Sequence, residues 1–233
     1  MTTRRGGTVN EVARLFTSDL HLDHENIIRY CGRPYRNADD MALDLAARWA
    51  SVVTASDTVY VLGDLVMKAH GAALALVAEL PGRTILIRGN HDRGAATRYR
   101  EVGGFAEVHP GLDLRLSDGT AIELSHYPFA DERPDSDQRY RDRRPVDRGQ
   151  WLACGHIHEK WRQLGRQVNV GIDAWGGRLV REDDLIALIA AGPGRRGRLA
   201  WSEAAVTTTE DALSPGEAIV VGEGNRRATS AAR

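Results

Sequence analysis

Seven side chains that bind divalent cations stand in five short stretches, each directly after a strand-like run. They are Asp19 and His21, Asp64 after Gly63, Asn90 within Gly89-Asn90-His91-Asp92, His126 after Ser125, and His156 with His158 in Gly155-His156-Ile157-His158. Carboxylate, amide and imidazole donors in one set suit Mn, Fe or Zn better than Ca or Mg, which favour oxygen-only shells. Two such ions about 4 Å apart clamp a phosphoryl group and generate a hydroxide between them. With two aspartates and that hydroxide the centre keeps roughly one positive charge, which attracts a phosphate oxyanion. Any one of these stretches is weak, because strand–Gly–Asp and isolated histidines are common. Five of the eight histidines fall inside them, however, and that concurrence favours a metal centre. Asp64 is the expected bridge between the two ions.

The elements that must position these residues follow from periodicity. Val12–Ser18 reads as a first strand ending at Asp19, and Glu25–Tyr30 as a short helix. Asn37 suits a helix cap, with Met41, Leu45, Trp49 and Val52 at helical spacing behind it. Thr58–Leu62 is an apolar strand leading to Asp64. Ala72–Leu80 reads as a helix stopped by Pro81-Gly82, and Thr84–Arg88 as a third strand. This alternation points to parallel βαβ units, and ligands gather beyond the carboxyl ends of such strands. The second half changes rhythm. Leu112, Leu114 and Leu116 alternate with polar residues, Asp118-Gly119 signals a two-residue hairpin, and Ile122 and Leu124 resume the alternation. Trp151–Cys154 and Gln167–Gly171 read as further strands, and Asp183–Ala190 as a closing helix or strand.

The segment Asp131–Gln150 is dense in Arg, Asp and Pro and reads as a long surface loop. Residues 1–10 look like a flexible polar leader without the apolar run of a signal peptide. Residues 11–191 form the expected domain. Residues 192–233 lack a sustained apolar period and read as a disordered tail, with Ala218–Val221 as a stray strand.

Composition narrows the function classes. The chain has 233 residues and a net charge of −1, so no basic field points to long nucleic acid. No apolar run approaches a membrane span. Two cysteines, Cys31 and Cys154, make neither a disulfide framework nor a cysteine-rich zinc site, and a reduced, cytoplasmic protein is the simplest expectation.

The ordered set Asp19-x-His21, Gly63-Asp64, Gly89-Asn90-His91-Asp92, His126 and Gly155-His156-x-His158 resembles the calcineurin-like metallophosphoesterase superfamily. Phe16–His21, Asn26–Tyr30 and Asn169–Asp173 are similar to a small bacterial and phage branch. The resemblance covers residues 12–190 or so. It implies an α/β fold, a four-layer α/β/β/α sandwich of two mixed sheets flanked by helices. It also implies one metal held by Asp19, His21, Asp64 and His158, and a second by Asp64, Asn90, His126 and His156. A metal-bridging hydroxide would attack phosphorus in line with the leaving group, and His91 would face the substrate and protonate the departing oxygen. Protein-phosphatase relatives continue Gly-Asp with Asp-Arg-Gly and use Gly-Asn-His-Glu, whereas Gly63-Asp64 continues Leu65-Val66-Met67-Lys68 and the fourth residue is Asp92. Asp92 and Asp23 are the candidates for orienting His91, with a helix cap as the alternative for Asp92.

His24, Asn26, Arg29, Arg93 and Trp175 are candidate substrate contacts, an arginine forking onto phosphate and the indole stacking a base. His70 and His109 read as ordinary surface residues. The favoured function is hydrolysis of small nucleotide-like phosphodiesters, cyclic nucleotides included, with two divalent ions, manganese first and Fe or Zn as alternatives. The other readings are a broad-specificity phosphomonoesterase using the same site and an inactive binding scaffold. The physiological substrate and the oligomeric state are not legible.

Overall fold

Short apolar runs separated by helical segments make the first half a strand–helix alternation. The computed structural model describes residues 12–67, 71–94, 96–130, 139–202 and 209–217. In chain order these are β1 (Arg14–Thr17), α1 (Glu25–Cys31), α2 (Ala38–Val52), β2 (Thr58–Val61), α3 (Gly71–Ala78), β3 (Arg83–Ile87), α4 (Ala96–Glu101) and β4 (Glu107–His109). Asn37 caps α2 as expected, its side chain accepting from the Asp40 amide at 2.7 Å. Such a cap contributes about 1 kcal/mol. Met41, Leu45 and Trp49 form the buried face of that helix, while Val52 is half-buried.

The second half contributes β5 (Leu112–Arg115), β6 (Ala121–Leu124), β7 (Trp151–Cys154), β8 (Gln163–Gly165), β9 (Gln167–Asn169), β10 (Val180–Arg181), α5 (Glu182–Ala190), β11 (Gly194–Arg196) and α6 (Thr209–Leu213). Strands β10-β1-β2-β3-β4 make one sheet and β11-β8-β9-β7-β6-β5 the other. Both are mixed. In the first, β10 runs antiparallel to β1 beside parallel β1, β2, β3 and β4. In the second, parallel β6, β7 and β9 are bordered by antiparallel neighbours. Two mixed sheets flanked by helices are the expected α/β architecture.

Period-two alternation assigns each strand residue to a layer. Leu15, Val59, Val61 and Leu86 pack with α1–α4 on one face of the first sheet. Phe16, Tyr60, Ile85 and Ile87 turn the other way, against Ile122, Leu124, Ala153 and Val168 of the second sheet. Leu152 and Cys154 then face a third, smaller cluster with Phe129 and Trp161.

Several expectations are corrected. The hairpin loop holds three residues rather than two. Leu116 N–H donates to the Thr120 carbonyl, Gly119 N–H donates back to Leu116, and Gly119 takes φ +90°, the geometry of a turn with a glycine bulge. Of the two alternatives expected for Asp183–Ala190 the structure has the helix, Glu182–Ala190, its start marked by three acids in the first turn, which favour the positive helix end. The short strands β4, β8 and β10 were not foreseen, because strands of two or three residues carry no readable period. Part of the expected tail is folded onto the domain. There β11 pairs with β8, Leu199 N–H donates to the Ala174 carbonyl, and Ala212 is buried in the inter-sheet core. Residues 1–10, the stretch Ala218–Val221, His70 and the first part of the Asp131–Gln150 loop lie outside the described residues. The later part of that loop holds a single 3₁₀ turn, Arg141–Arg143. No helix among the described residues is long and apolar enough to cross a membrane.

Candidate metal centre

Asp19, Asp64 and Asn90 follow β1, β2 and β3, parallel neighbours in one sheet, so their loops emerge side by side. His126 and Gly155–His158 follow β6 and β7, parallel neighbours in the other. The ladder between β1 and β2 continues into the loops through Asp19 N–H to Gly63 O and His21 N–H to Asp64 O, both 3.0 Å. The sheets themselves are joined at this end, where Ser18 bridges Gly171.

Backbone conformation then aims the side chains. Asp19, His21, Asp64, His156 and His158 all take φ between 50° and 72°. This left-handed region costs an ordinary residue roughly 1–2 kcal/mol, and Asp and His tolerate it better than most. Strain concentrated on five of the seven expected ligands marks a functional constraint. Two glycines permit the close approach of these loops. A Cβ on Gly155 would overlap Ser18 Oγ and stand 2.6 Å from Asp19 Oδ2, and one on Gly89 would overlap Asp64 Oδ1.

One carboxylate oxygen lies at the middle of the assembly. Asp64 Oδ2 is 3.6 Å from His21 Nε2, 3.5 Å from His126 Nε2 and 3.9 Å from His91 Nε2, while Oδ1 accepts the His91 amide at 2.8 Å. Around it stand two groups of donors, Asp19 with His21 and His158, and Asp64 with His126 and His156. These groups fit cations. His126 Nδ1–H donates to the Leu62 carbonyl at 2.7 Å, which leaves Nε2 as a lone pair. That lone pair is 3.1 Å from Asn90 Oδ1 and 3.2 Å from His156 Nδ1. An imidazole lone pair, an amide oxygen and a carboxylate oxygen so close repel one another unless a cation stands among them. Both ring nitrogens of His21 are buried without a hydrogen-bond partner, and a cation beside Nε2 would satisfy one of them. A third cluster, Cys31 with His158 and Asp173, is less suited. Burial pushes the Cys31 thiol up, and Asp173 is already paired with Arg33.

The model of the calcineurin-like phosphoesterase superfamily domain matches residues 14–179. This chain belongs to that superfamily. The Gene 66 protein of Mycobacterium phage L5 is 36% identical to it over 199 residues, covering 75% of this chain and 92% of the phage protein. The protein MJ1445 of Methanocaldococcus jannaschii is 40% identical over 126 residues, covering 48% of this chain and 72% of its own. These relatives place the chain in the small phage and bacterial branch of the superfamily. The crystal structure of AQ665 from Aquifex aeolicus, 26% identical, aligns with a TM-score of 0.60 over 76% of this chain and all of that one. Membership implies metal-dependent phosphoester hydrolysis, and the His/Asp groups above are where this calcineurin-like domain could hold the metal.

Charge around the centre follows burial. Asp64 is pushed up to about 7, first by burial, with His126 opposing and Asp19 and Asp92 adding. A buried carboxylate in that state calls for a cation. His21 is held well below its usual value by burial and by His158 and Arg33, so its lone pair is available. Burial works against protonated His158, but Asp19 and Asp173 outweigh it and push the ring up to about 9.

The remaining candidates divide. His91 is half-buried over Asp64, its ring centroid 5.2 Å from that of His21, and His24 stands at 5.3 Å from the same ring. Both therefore stand beside His21, one of the candidate ligands. Arg93 is exposed beside Asn90. Asn26 and Arg29 are exposed on α1, where the Arg29 guanidinium lies over Tyr30. Trp175 is corrected: it is buried in the inter-sheet core, with Nε1–H on the Asn169 carbonyl and the guanidinium groups of Arg162 and Arg178 against its ring. Its side chain is closed off from solvent. Asp92 is corrected too. Its carboxylate accepts the amides of Asp64, Leu65 and Gly89, so it ties the β2 and β3 loops together instead of orienting the His91 ring. His109 pairs with Glu107.

Sequence reasoning missed the supports behind the ligands. Arg33, fully buried, forks onto Asp173 at 2.8 and 2.9 Å and donates to the carbonyls of Asp19 and Leu20. Asp173 in turn faces His158 Nδ1 at 3.2 Å, which leaves Nε2 for a cation, the usual carboxylate–histidine support of a metal ligand. Asn169 ties the His158 and Trp161 carbonyls to the Gly171 amide. Asp173 and Asn169 stood in a stretch similar to the phage branch. Arg33 gave no signal.

Proposed function

We propose that this superfamily member is a phosphodiesterase acting on small nucleotide-like esters. Asp19, His21, Asp64 and His158 would hold one divalent ion, and Asp64, Asn90, His126 and His156 a second. The observation that carries the reading is the position of Asp64 Oδ2 between the two donor groups, 3.6 Å from His21 and 3.5 Å from His126. The mixed nitrogen and oxygen donors favour manganese, with Fe or Zn as alternatives. Such ions, when bound, polarise the phosphoryl oxygens and make water nucleophilic at neutral pH.

The chain's own residues supply the rest. His91 is lowered by burial first and then by the charge of Arg93, which favours the neutral ring at rest. An anionic phosphate brought against it opposes that shift, and the imidazole takes up a proton as substrate arrives. It then returns that proton to the leaving oxygen, as general acid. Asp92 holds the two loops in register, and the Arg33–Asp173 pair holds His158. A cavity of about 700 Å³ beside Asn90 gives room for a second ester arm, which favours a diester over a monoester. A cleft of about 750 Å³ between Tyr35, Arg48 and Trp201 contains none of these ligands, so size alone does not mark the site. Buried, unbridged Cys31 and Cys154 suit a reducing, cytoplasmic setting.

The test is hydrolysis of bis-p-nitrophenyl phosphate against p-nitrophenyl phosphate with added manganese. Diester turnover should dominate and vanish with thorough chelation; dominant monoester turnover would replace this reading with the phosphomonoesterase. On a dinucleotide diester, whose alkoxide leaving group needs a proton, His91→Ala should lower kcat by about 100-fold or more with metal content kept, and by much less on the p-nitrophenyl diester, whereas Asp64→Asn should lower metal content itself.

A further inference from the structure

The cavity beside Asn90 opens directly off the proposed metal centre. Its walls include Asn90, Arg88, Arg93, Tyr127, Tyr140 and Arg143, and its volume of about 700 Å³ suits a nucleotide. Tyr127 joins it to the ligands, its ring 4.8 Å from that of His126 and 5.1 Å from that of His156. Tyr140 stands at 5.7 Å from His156, edge to face, and 5.5 Å from Tyr127.

Three features of this cavity have no role in holding the fold. Tyr140 takes φ 58°, a conformation that a bulky aromatic residue avoids, and it is only half-buried. The Tyr127 hydroxyl is buried in the cavity wall on a residue only 4% exposed, without a well-formed hydrogen bond, and the Arg143 guanidinium is the group close enough to act on it. Arg93 and Arg143 are both exposed; among the described residues Arg93 makes a long 3.4 Å contact to the Asn90 carbonyl, and Arg143 has its guanidinium beside the Tyr127 hydroxyl and 6.0 Å from the Tyr140 ring. Arg88 differs, being spent on the carbonyls of Asp92 and Gly94. The acid lining the cavity, Asp92, has its carboxylate committed to three backbone amides. Among the described lining residues cationic charge is therefore in excess here, beside a flat ring and a hydroxyl turned toward Arg143.

We infer that this cavity is a nucleotide subsite in which Tyr140 stacks the base, Arg93 and Arg143 grip a second phosphate, and Tyr127 hydrogen-bonds the ligand between them. The preferred diester, on the phosphodiesterase reading that this rests on, is then a nucleoside ester bearing a further terminal phosphate. Base–aromatic stacking is sequence-tolerant, so the subsite recognises the nucleotide class rather than one base. Arginine suits the phosphate because its fork matches the oxyanion.

Three substrates with one leaving group separate these contributions: bis-p-nitrophenyl phosphate, thymidine 5′-p-nitrophenyl phosphate and the 3′-phosphorylated form of the latter. In each, water adds to phosphorus and p-nitrophenolate leaves, so differences report binding of the other arm. The wild-type kcat/KM should rise about tenfold with the base and about tenfold again with the 3′-phosphate. Tyr140→Ala should remove the first gain and Tyr140→Phe keep it. Arg143→Gln should remove the second, and Tyr127→Phe should cost the nucleotide esters about fivefold more than the simple diester. A wild type with no preference among the three, or variants that lose equally on all of them, would overturn the subsite. Calorimetric binding of thymidine 3′,5′-bisphosphate to the manganese-loaded protein needs no turnover and should weaken about tenfold in Tyr140→Ala and in Arg143→Gln. Binding of that kind without hydrolysis of any ester would sink the phosphodiesterase reading and leave the subsite standing. Diester hydrolysis with bisphosphate binding indifferent to both substitutions would do the reverse.

Discussion

Asp173→Asn offers a sharp test of how the ligand shell is supported. The side chains of Arg33 and Asp173 are both fully buried, and two charge-assisted hydrogen bonds of 2.8 and 2.9 Å join them. Replacing the carboxylate by an amide of the same shape keeps one acceptor oxygen but removes the charge and sets an NH2 donor against the Arg33 guanidinium, whose other acceptors are the Asp19 and Leu20 carbonyls and the Met41 sulfur. Removing one partner of a buried pair costs about 3–5 kcal/mol, because the other charge stays buried and uncompensated. In urea that corresponds to a midpoint lower by roughly 2 M. Unfolding followed by tryptophan fluorescence in the presence of chelator isolates the effect from metal binding. The double variant Arg33→Met/Asp173→Asn removes the stranded charge and should lose less than the single change. A second readout is cation affinity, expected to fall about 10- to 100-fold because His158 loses the group that orients its ring. A single variant within 1 kcal/mol of wild type, with unaltered cation affinity, would refute the account of this pair.

Gly155→Ala should abolish divalent-ion binding measured by calorimetry and lower stability by about 1–3 kcal/mol, since the new methyl would meet Ser18 Oγ and Asp19 Oδ2. Asp57 is held below the usual carboxylate range: burial opposes the charge, but hydrogen bonds from Thr54 and Ala13 outweigh it. Its contribution is therefore complete above the unfolded value of about 3.9 and is lost as pH falls through the lower folded value. The stability gap between wild type and Asp57→Asn, about 1–2 kcal/mol at pH 7, should shrink below about pH 4; a gap that widens there would contradict the sign. Trp175→Leu should lower the unfolding free energy by about 2–4 kcal/mol with KM for any ester unchanged, whereas a base-stacking tryptophan would raise KM.

The proposed ligands were legible because chemistry restricts their types and the end of a strand restricts their place. Asp19, Asp64, Asn90, His126, His156 and His158 each follow a short apolar run that needs no partner to be recognised as a strand. The helix from Ala38 was legible for the same local reason, since its Asn37 cap and its buried face lie within one segment. The layer arrangement followed from the family resemblance and from the change of rhythm at mid-chain. Strands β8, β10 and β11 were not readable, because two or three residues become a strand only when a neighbour supplies the other half of the hydrogen bonds. The same holds for part of the expected tail, whose Ala212 is apolar only in small measure and is buried by what it meets.

Tertiary structure alone decided which side chains support and which ones face ligand. Arg33 and Asp173 are 140 residues apart, and no local pattern tells an arginine that it will be enclosed with a carboxylate. Trp175 has the composition of a stacking platform, but only packing shows its ring enclosed by Arg162 and Arg178. Tyr127 and Tyr140 became visible as a wall beside His156 only once the sheets were brought together. Sequence carries the chemistry of each residue and its local period; burial, charge pairing and the direction of a side chain depend on neighbours that the chain supplies from elsewhere.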